Sequence, residues 1–191
     1  MNKKRILKIA ESSVMLALAT VLSMITFFSL PAGGSVTPFS MLPVLIIAYR
    51  YGMKWGFGVG IVYGLIQMLL GLNNLSYATN AVAGVCIILF DYLVAFGVMG
   101  FGGLFRKMKN QAVGFSIGVA VACVLRFLCH FLTGITVWAD YSGGIWNTIV
   151  FSATYNGSYM LPELVITVVV GAILMSVLDF RSERLSPIKR G

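Results

Sequence analysis

Charge is what this sequence has least of. Only 10% of its 191 residues are Asp, Glu, Lys or Arg, against about 25% in soluble domains. Six residues are acidic and one is a histidine, too few to clothe a surface that faces water. No Walker-type GxxxxGK[ST] loop occurs, which excludes ATP hydrolysis by that route. The three cysteines, Cys86, Cys123 and Cys129, all fall inside apolar runs. They show neither a disulfide framework nor metal-ligand spacing and read as soft packing residues. Lys and Arg are missing altogether from 31–37, 73–80 and 135–147.

What is there is hydrophobic. Apolar residues make up 59% of the chain and the mean hydropathy is +0.92. Measured against the ~20 residues that a spanning helix needs, six apolar runs stand out, at 8–30, 38–50, 55–72, 81–104, 111–134 and 148–179. The expected fold is therefore all-α: an integral membrane protein, a six-transmembrane-helix bundle forming a single membrane domain over 1–191. The second run is short and carries Pro43, so it is read as tilted, broken or partly spanning. Gly157 and Pro162 are expected to divide the last run, because a proline ring clashes with the turn before it. The first run is too long for the apolar core of a cleaved leader, about 7–15 residues, and is read as a span.

Thirteen of the fourteen Lys and Arg residues fall at the N-terminus, at Arg50/Lys54, at Arg106/Lys107/Lys109 and in the tail from Arg181. With six spans, all four places lie on one side. The positive-inside rule then predicts cytoplasmic N- and C-termini of a multi-pass plasma-membrane protein. The net charge of +8 is a topology signal; scattered over short loops, it forms no nucleic-acid footprint. Gly52, Gly56, Gly60 and Gly64 recur every four residues, a smooth face that admits a neighbouring helix closely. Ser13 and Ala17 make a smaller stripe on the first span, suited either to the bundle or to a partner helix.

The one arginine outside the basic clusters, Arg126, lies a helical turn from the only histidine, His130. Ionisable groups at membrane depth cost about 2.5–3.5 kcal/mol each on insertion scales, so they are functional candidates by default. Asp91-Tyr92 interrupts the fourth run. One reading pairs Asp91 with Arg126 as a structural ion pair; the other gives Asp91 to a polar or cationic ligand, and the two are compatible. Beyond His130 come Trp138, Asp140, Tyr141 and Trp146, either ligand-facing aromatics or an ordinary interfacial belt. Ser152, Asn156, Tyr159 and Glu163 form one polar face of the last span. There Asn156 is the better ligand candidate, while Tyr159 and Glu163 also suit helix–helix contacts. Tyr63 and Gln67 add polar groups at the outer end of the third span. Polar residues gathered in one half of the bundle favour a pocket over a pore, which needs polar lining along its whole depth. A carboxylate among aromatic walls suits a flat organic cation.

Several segments together resemble the thiamine-specific substrate-binding (S) component of energy-coupling factor vitamin transporters: Gly33-Gly34-Ser35-Val36 with Met41-Leu42-Pro43, Leu89-Phe90-Asp91-Tyr92, Arg126 through Trp138, and Tyr155-Asn156-Gly-Ser-Tyr159-Met160-Leu-Pro162. The resemblance implies a non-enzymatic six-helix subunit, without a cofactor of its own, that binds thiamine from outside. It also implies docking onto a transmembrane coupling protein and two cytoplasmic ATPases. By position, Asp91 matches the acidic ligand of the aminopyrimidine ring. His130 and Trp138 match ring-stacking residues, Tyr92 and Asn156 hydrogen-bonding ones, and Tyr63 an aromatic wall. Arg126, Gln67 and Tyr159 are expected to support them. Three departures stand out. Asp91 replaces a Glu found in some relatives. Phe151 occupies a ligand-binding position where a tyrosine is common. The coupling signature of alanines four apart on the first helix is reduced to Ala17 and Val21, beside Ser13. Alternatives at this stage are an S component for another flat vitamin or a thiamine precursor, and a self-contained proton-coupled carrier using Asp91, Glu163 and His130.

Overall fold

A computed structural model describes residues 2–30, 34–137, 143–182 and 185–188. The apolar runs become helices. α1 spans Lys3–Met24, α2 Leu42–Tyr51 and α3 Met53–Leu70. A composite helix, α4, spans Ala81–Gly103; α5 spans Gln111–Val137 and α6 Ile145–Val177. Five of these are long and apolar enough to cross a membrane. The sixth, α2, has ten residues, about 15 Å at the usual rise, half of the ~30 Å hydrocarbon core. Despite that length, every residue of α2 from Leu42 to Arg50 is buried: it is a core element wrapped by the longer helices.

Gly52 explains the break after α2. Its φ of 89° lies where only glycine is comfortable, and it turns the chain from α2 directly into α3. It therefore opens the stripe expected for the third span instead of packing within it. The remaining glycines behave as the spacing predicts. A Cβ on Gly56 would lie 2.5 Å from the Ala48 side chain, and one on Gly60 would collide with the Phe96 carbonyl. Close approach of α3 to α2 and α4 follows. Polar stitches fasten α1 to the same helix: Trp55 Nε1 donates to Ser12 Oγ at 2.9 Å, Tyr63 to the Ala19 carbonyl at 3.1 Å, and Gln67 to Ser23 Oγ at 2.8 Å.

α4 changes pitch along its length. After one α-helical stretch, Ile87–Val94 winds as π-helix and Val98–Gly103 as 3-10 helix. The wider π turn narrows the angular step between successive side chains, so the neighbours Asp91 and Tyr92 both face inward. Such insertions concentrate at functional sites. α6 corrects the expected division: it runs unbroken through Gly157 and Pro162. A membrane helix tolerates one proline because its surroundings re-satisfy the freed backbone groups. α5 and α6 pack along their lengths, and Gly134 lets Ser152 approach within contact.

Short hairpins close both ends. Phe28–Ser29 (β1) pairs antiparallel with Ser35–Val36 (β2), Phe28 opposite Val36. Leu178–Asp179 (β3) pairs with Ser186–Pro187 (β4). Arg50 is 7% exposed and binds Glu11 through Nε at 2.6 Å and Nη2 at 3.0 Å. Its Nη1 reaches the carbonyls of Phe180 at 3.1 Å and Ser182 at 2.9 Å. The start of α1, the end of α2 and the chain after α6 thus meet at one end of the bundle.

Candidate functional site

At the opposite end, the helices spread around a cavity of about 440 Å³, within the range of about 300–1,000 Å³ usual for small-molecule sites. α3 contributes Gln67, α4 Asp91, Tyr92 and Phe96, α5 Arg126 and His130, and α6 Phe151, Tyr155, Asn156 and Tyr159. Gly34 and Ser35 come in from the segment that enters β2.

Asp91 and His130 are paired, with Nδ1 2.8 Å from Oδ1 and both side chains partly exposed to the cavity. A carboxylate opposite Nδ1 places the ring proton on that nitrogen. Nε2 is buried without a hydrogen-bond partner among the described residues. Tyr92 is held at its tip: its hydroxyl donates to the Gly71 carbonyl and accepts from Asn74 Nδ2, each at 3.0 Å. The 3-10 turn Leu72–Tyr77 is tied to α4 in this way.

On α6 the polar face predicted from spacing is present and internally bonded. Asn156 Nδ2 donates to the Ser152 carbonyl at 2.9 Å, while its Oδ1 accepts from Tyr159 at 2.8 Å. Ser152 in turn donates to the Phe131 carbonyl at 2.9 Å, joining α6 to α5. Phe151 stacks on Tyr155, ring centroids 5.5 Å apart. The Tyr155 hydroxyl accepts the Gly34 amide at 3.0 Å, and a Cβ on Gly34 would come within 2.7 Å of the Tyr159 ring. Only glycine lets the β1–β2 segment lie so flat on α6.

The reading that pairs Asp91 with Arg126 is not what the structure holds. Arg126 Nη1 lies 3.4 Å from Glu163 Oε2 and 2.9 Å from Met41 Sδ, while Asp91 takes the histidine. Spacing along single helices fixes which residues share a face, but not which face of the next helix they meet. Tyr63 also moves: it is 1% exposed, sits edge-on to Phe96 at 5.1 Å and lies behind the cavity wall. Of the other expected residues, Tyr92, His130, Asn156, Phe151, Arg126, Gln67 and Tyr159 line the cavity with Asp91. Trp138 lies outside the described residues, as do Asp140 and Tyr141. Trp146, 75% exposed, stands at the start of α6 as an interfacial tryptophan would. Tyr155, Asn74, Tyr77 and Ser23 are lining residues that spacing did not single out. Tyr155 had a signal, since it follows Phe151 and precedes Tyr159 by one turn each. Ser13, Ala17 and Val21 share an exposed face of α1, away from buried Ser12 and Ala19.

An apolar helical bundle with a polar, aromatic-walled cavity at one end defines a membrane protein that binds a small molecule. The chain belongs to the thiamine transporter protein family (Thia_YuaJ), whose model matches residues 9–181. It is 30% identical to the thiamine transporter ThiT of Bacillus subtilis, over 91% of this chain and 92% of that one. To the thiamine transporter ThiT of Lacticaseibacillus paracasei it is 26% identical, over 91% and 89%. Its fold is that of ThiT from Listeria monocytogenes, with a TM-score of 0.74 at 24% identity, covering 91% of this chain and 95% of that one. These relatives are transporters, not enzymes.

Proposed function

We propose that this chain is the thiamine-binding subunit of an energy-coupling factor importer, and that the cavity walled by α3–α6 is its ligand site. The observation that carries this reading is the Asp91–His130 pair facing the aromatic residues of α6 across one cavity. Thiamine joins a cationic thiazolium to an aminopyrimidine. The Asp91 carboxylate accepts from the exocyclic amine, and His130 holds that carboxylate in place through Nδ1. Phe151 and Tyr155 on α6 offer aromatic surface to the cation, a contact that strengthens as water is expelled. Trp138 is proposed as a further stacking residue. With the basic end cytoplasmic, the cavity opens outward.

The exposed Ser13–Ala17–Val21 face of α1 is proposed to dock on a transmembrane coupling protein. Two ATPases supply the energy that this chain has no loop to harvest. The proton-carrier alternative is less well supported, because its titratable groups do not form one relay. Asp91 is bound to His130, Glu163 to Arg126, and two turns further along α6 Gly171 packs among Phe115 and Leu42. The direct test is a titration of the purified protein with thiamine, followed by tryptophan fluorescence. Saturable quenching below about 1 μM, or −8.2 kcal/mol, is expected; a flat signal through the micromolar range rejects the reading.

A further inference from the structure

Arg126 is an anomaly in a site for a cation. It lines the cavity, its guanidinium carbon stands 4.8 Å over the Phe96 ring, and its Nε is buried without a partner among the described residues. Left alone, it would repel a positively charged ligand and attract an anionic one. Its charge is answered from behind the wall. Glu163 is 3% exposed and does not line the cavity. One of its oxygens faces Arg126 Nη1 at 3.4 Å. The other accepts from Thr37 Oγ1 at 2.6 Å and Ser40 Oγ at 3.4 Å. Thr37 Oγ1 in turn accepts from Ser40 Oγ at 2.7 Å. These contacts fix the Glu163 carboxylate in place beside Arg126, and a buried guanidinium is tolerated only with such a partner.

From this arrangement we infer that Glu163 is a specificity-determining residue that never touches the ligand. It cancels Arg126, so that Asp91 sets the sign of the cavity and a cation is preferred over its phosphate ester. The same carboxylate holds Thr37, and through it the segment that carries Gly34 and Ser35 over the cavity. The inference rests on the thiamine reading for the identity of the cation. With Glu163 neutralised, Arg126 would become an uncompensated positive charge in the wall. The cavity's preference would then move from the bare cation toward the ester.

The experiment titrates thiamine and thiamine monophosphate calorimetrically into wild-type protein, Glu163→Gln, and the double variant Glu163→Gln/Arg126→Met. Glutamine keeps the shape and an acceptor for Thr37. Glu163→Gln is expected to bind thiamine at least tenfold more weakly while the thiamine-to-ester affinity ratio falls at least tenfold. The double variant, which has neither charge, is expected to return the thiamine-to-ester ratio to within threefold of wild type. A purely structural role would weaken both ligands alike, and an unchanged ratio in Glu163→Gln overturns the inference. Should that single variant not fold, the double variant decides: folded protein whose thiamine-to-ester ratio departs more than tenfold from wild type overturns it too. Wild-type protein that binds neither ligand overturns the thiamine reading, and this inference with it. Wild-type binding with an unshifted ratio overturns this inference alone.

Discussion

Asp91 and His130 face each other across 2.8 Å at the cavity wall, and each gives the other a reason to stay polar inside an apolar bundle. Asp91→Asn keeps the side chain's size and removes its charge. We expect thiamine affinity to fall at least tenfold, about 1.4 kcal/mol, by calorimetry; an unchanged affinity would place the ligand elsewhere. Tyr155→Phe removes the acceptor of the Gly34 amide and leaves the Tyr159 contact. Ligand should then dissociate several-fold faster in stopped-flow fluorescence, and identical rates would show that this hydroxyl does not hold the segment down. Residue chemistry was the most legible part of the site. Asp91, His130 and Asn156 announce themselves because polar groups at membrane depth are rare and costly. Partner choice was not legible: which carboxylate meets Arg126, and whether Tyr63 faces the cavity or the core, depend on helix rotation. Residues 37 positions apart, as Arg126 and Glu163 are, leave no trace of that rotation in their spacing.

Among the elements, α4 decides the geometry of the site, since its π-helical stretch brings Asp91 and Tyr92 to one wall together. Its position depends on α3 through the contact of Gly60 with the Phe96 carbonyl. Gly60→Leu should lower the melting temperature of the detergent-solubilised protein and weaken thiamine binding, since overpacking costs about 1–3 kcal/mol. Gly58→Leu is the control: a Cβ there meets nothing within 4 Å, and neither quantity should change. Equal effects from both would remove the packing role assigned to the stripe. The stripe was legible as a four-residue repeat, and its first member was misread, because Gly52 turns the backbone. The change of pitch inside α4 left no mark in hydropathy, which averages over turns. Pro162 announced a break that the membrane environment lets the helix avoid.

For the whole molecule, the basic cluster around Arg50 and Arg106 and the cavity lie at opposite ends. Arg50 fastens the basic end, joining α1, α2 and the chain after α6 through Glu11, Phe180 and Ser182. Glu11→Gln should therefore lower the melting temperature while leaving thiamine affinity within twofold, because nothing in that cluster reaches the cavity; a large loss of affinity would show the two ends to be coupled. The helical class and the location of the spans were readable from composition and charge placement. The depth of α2 was not, since a ten-residue apolar helix reads alike whether it spans or fills a core. The account as a whole turns on one cavity gripping one flat cation, and a structure of the thiamine complex tests that most directly. It should show the aminopyrimidine within hydrogen-bonding distance of Asp91 and the thiazolium against the α6 aromatics. Thiamine bound outside the cavity, or within it but out of reach of both Asp91 and His130, would contradict the account.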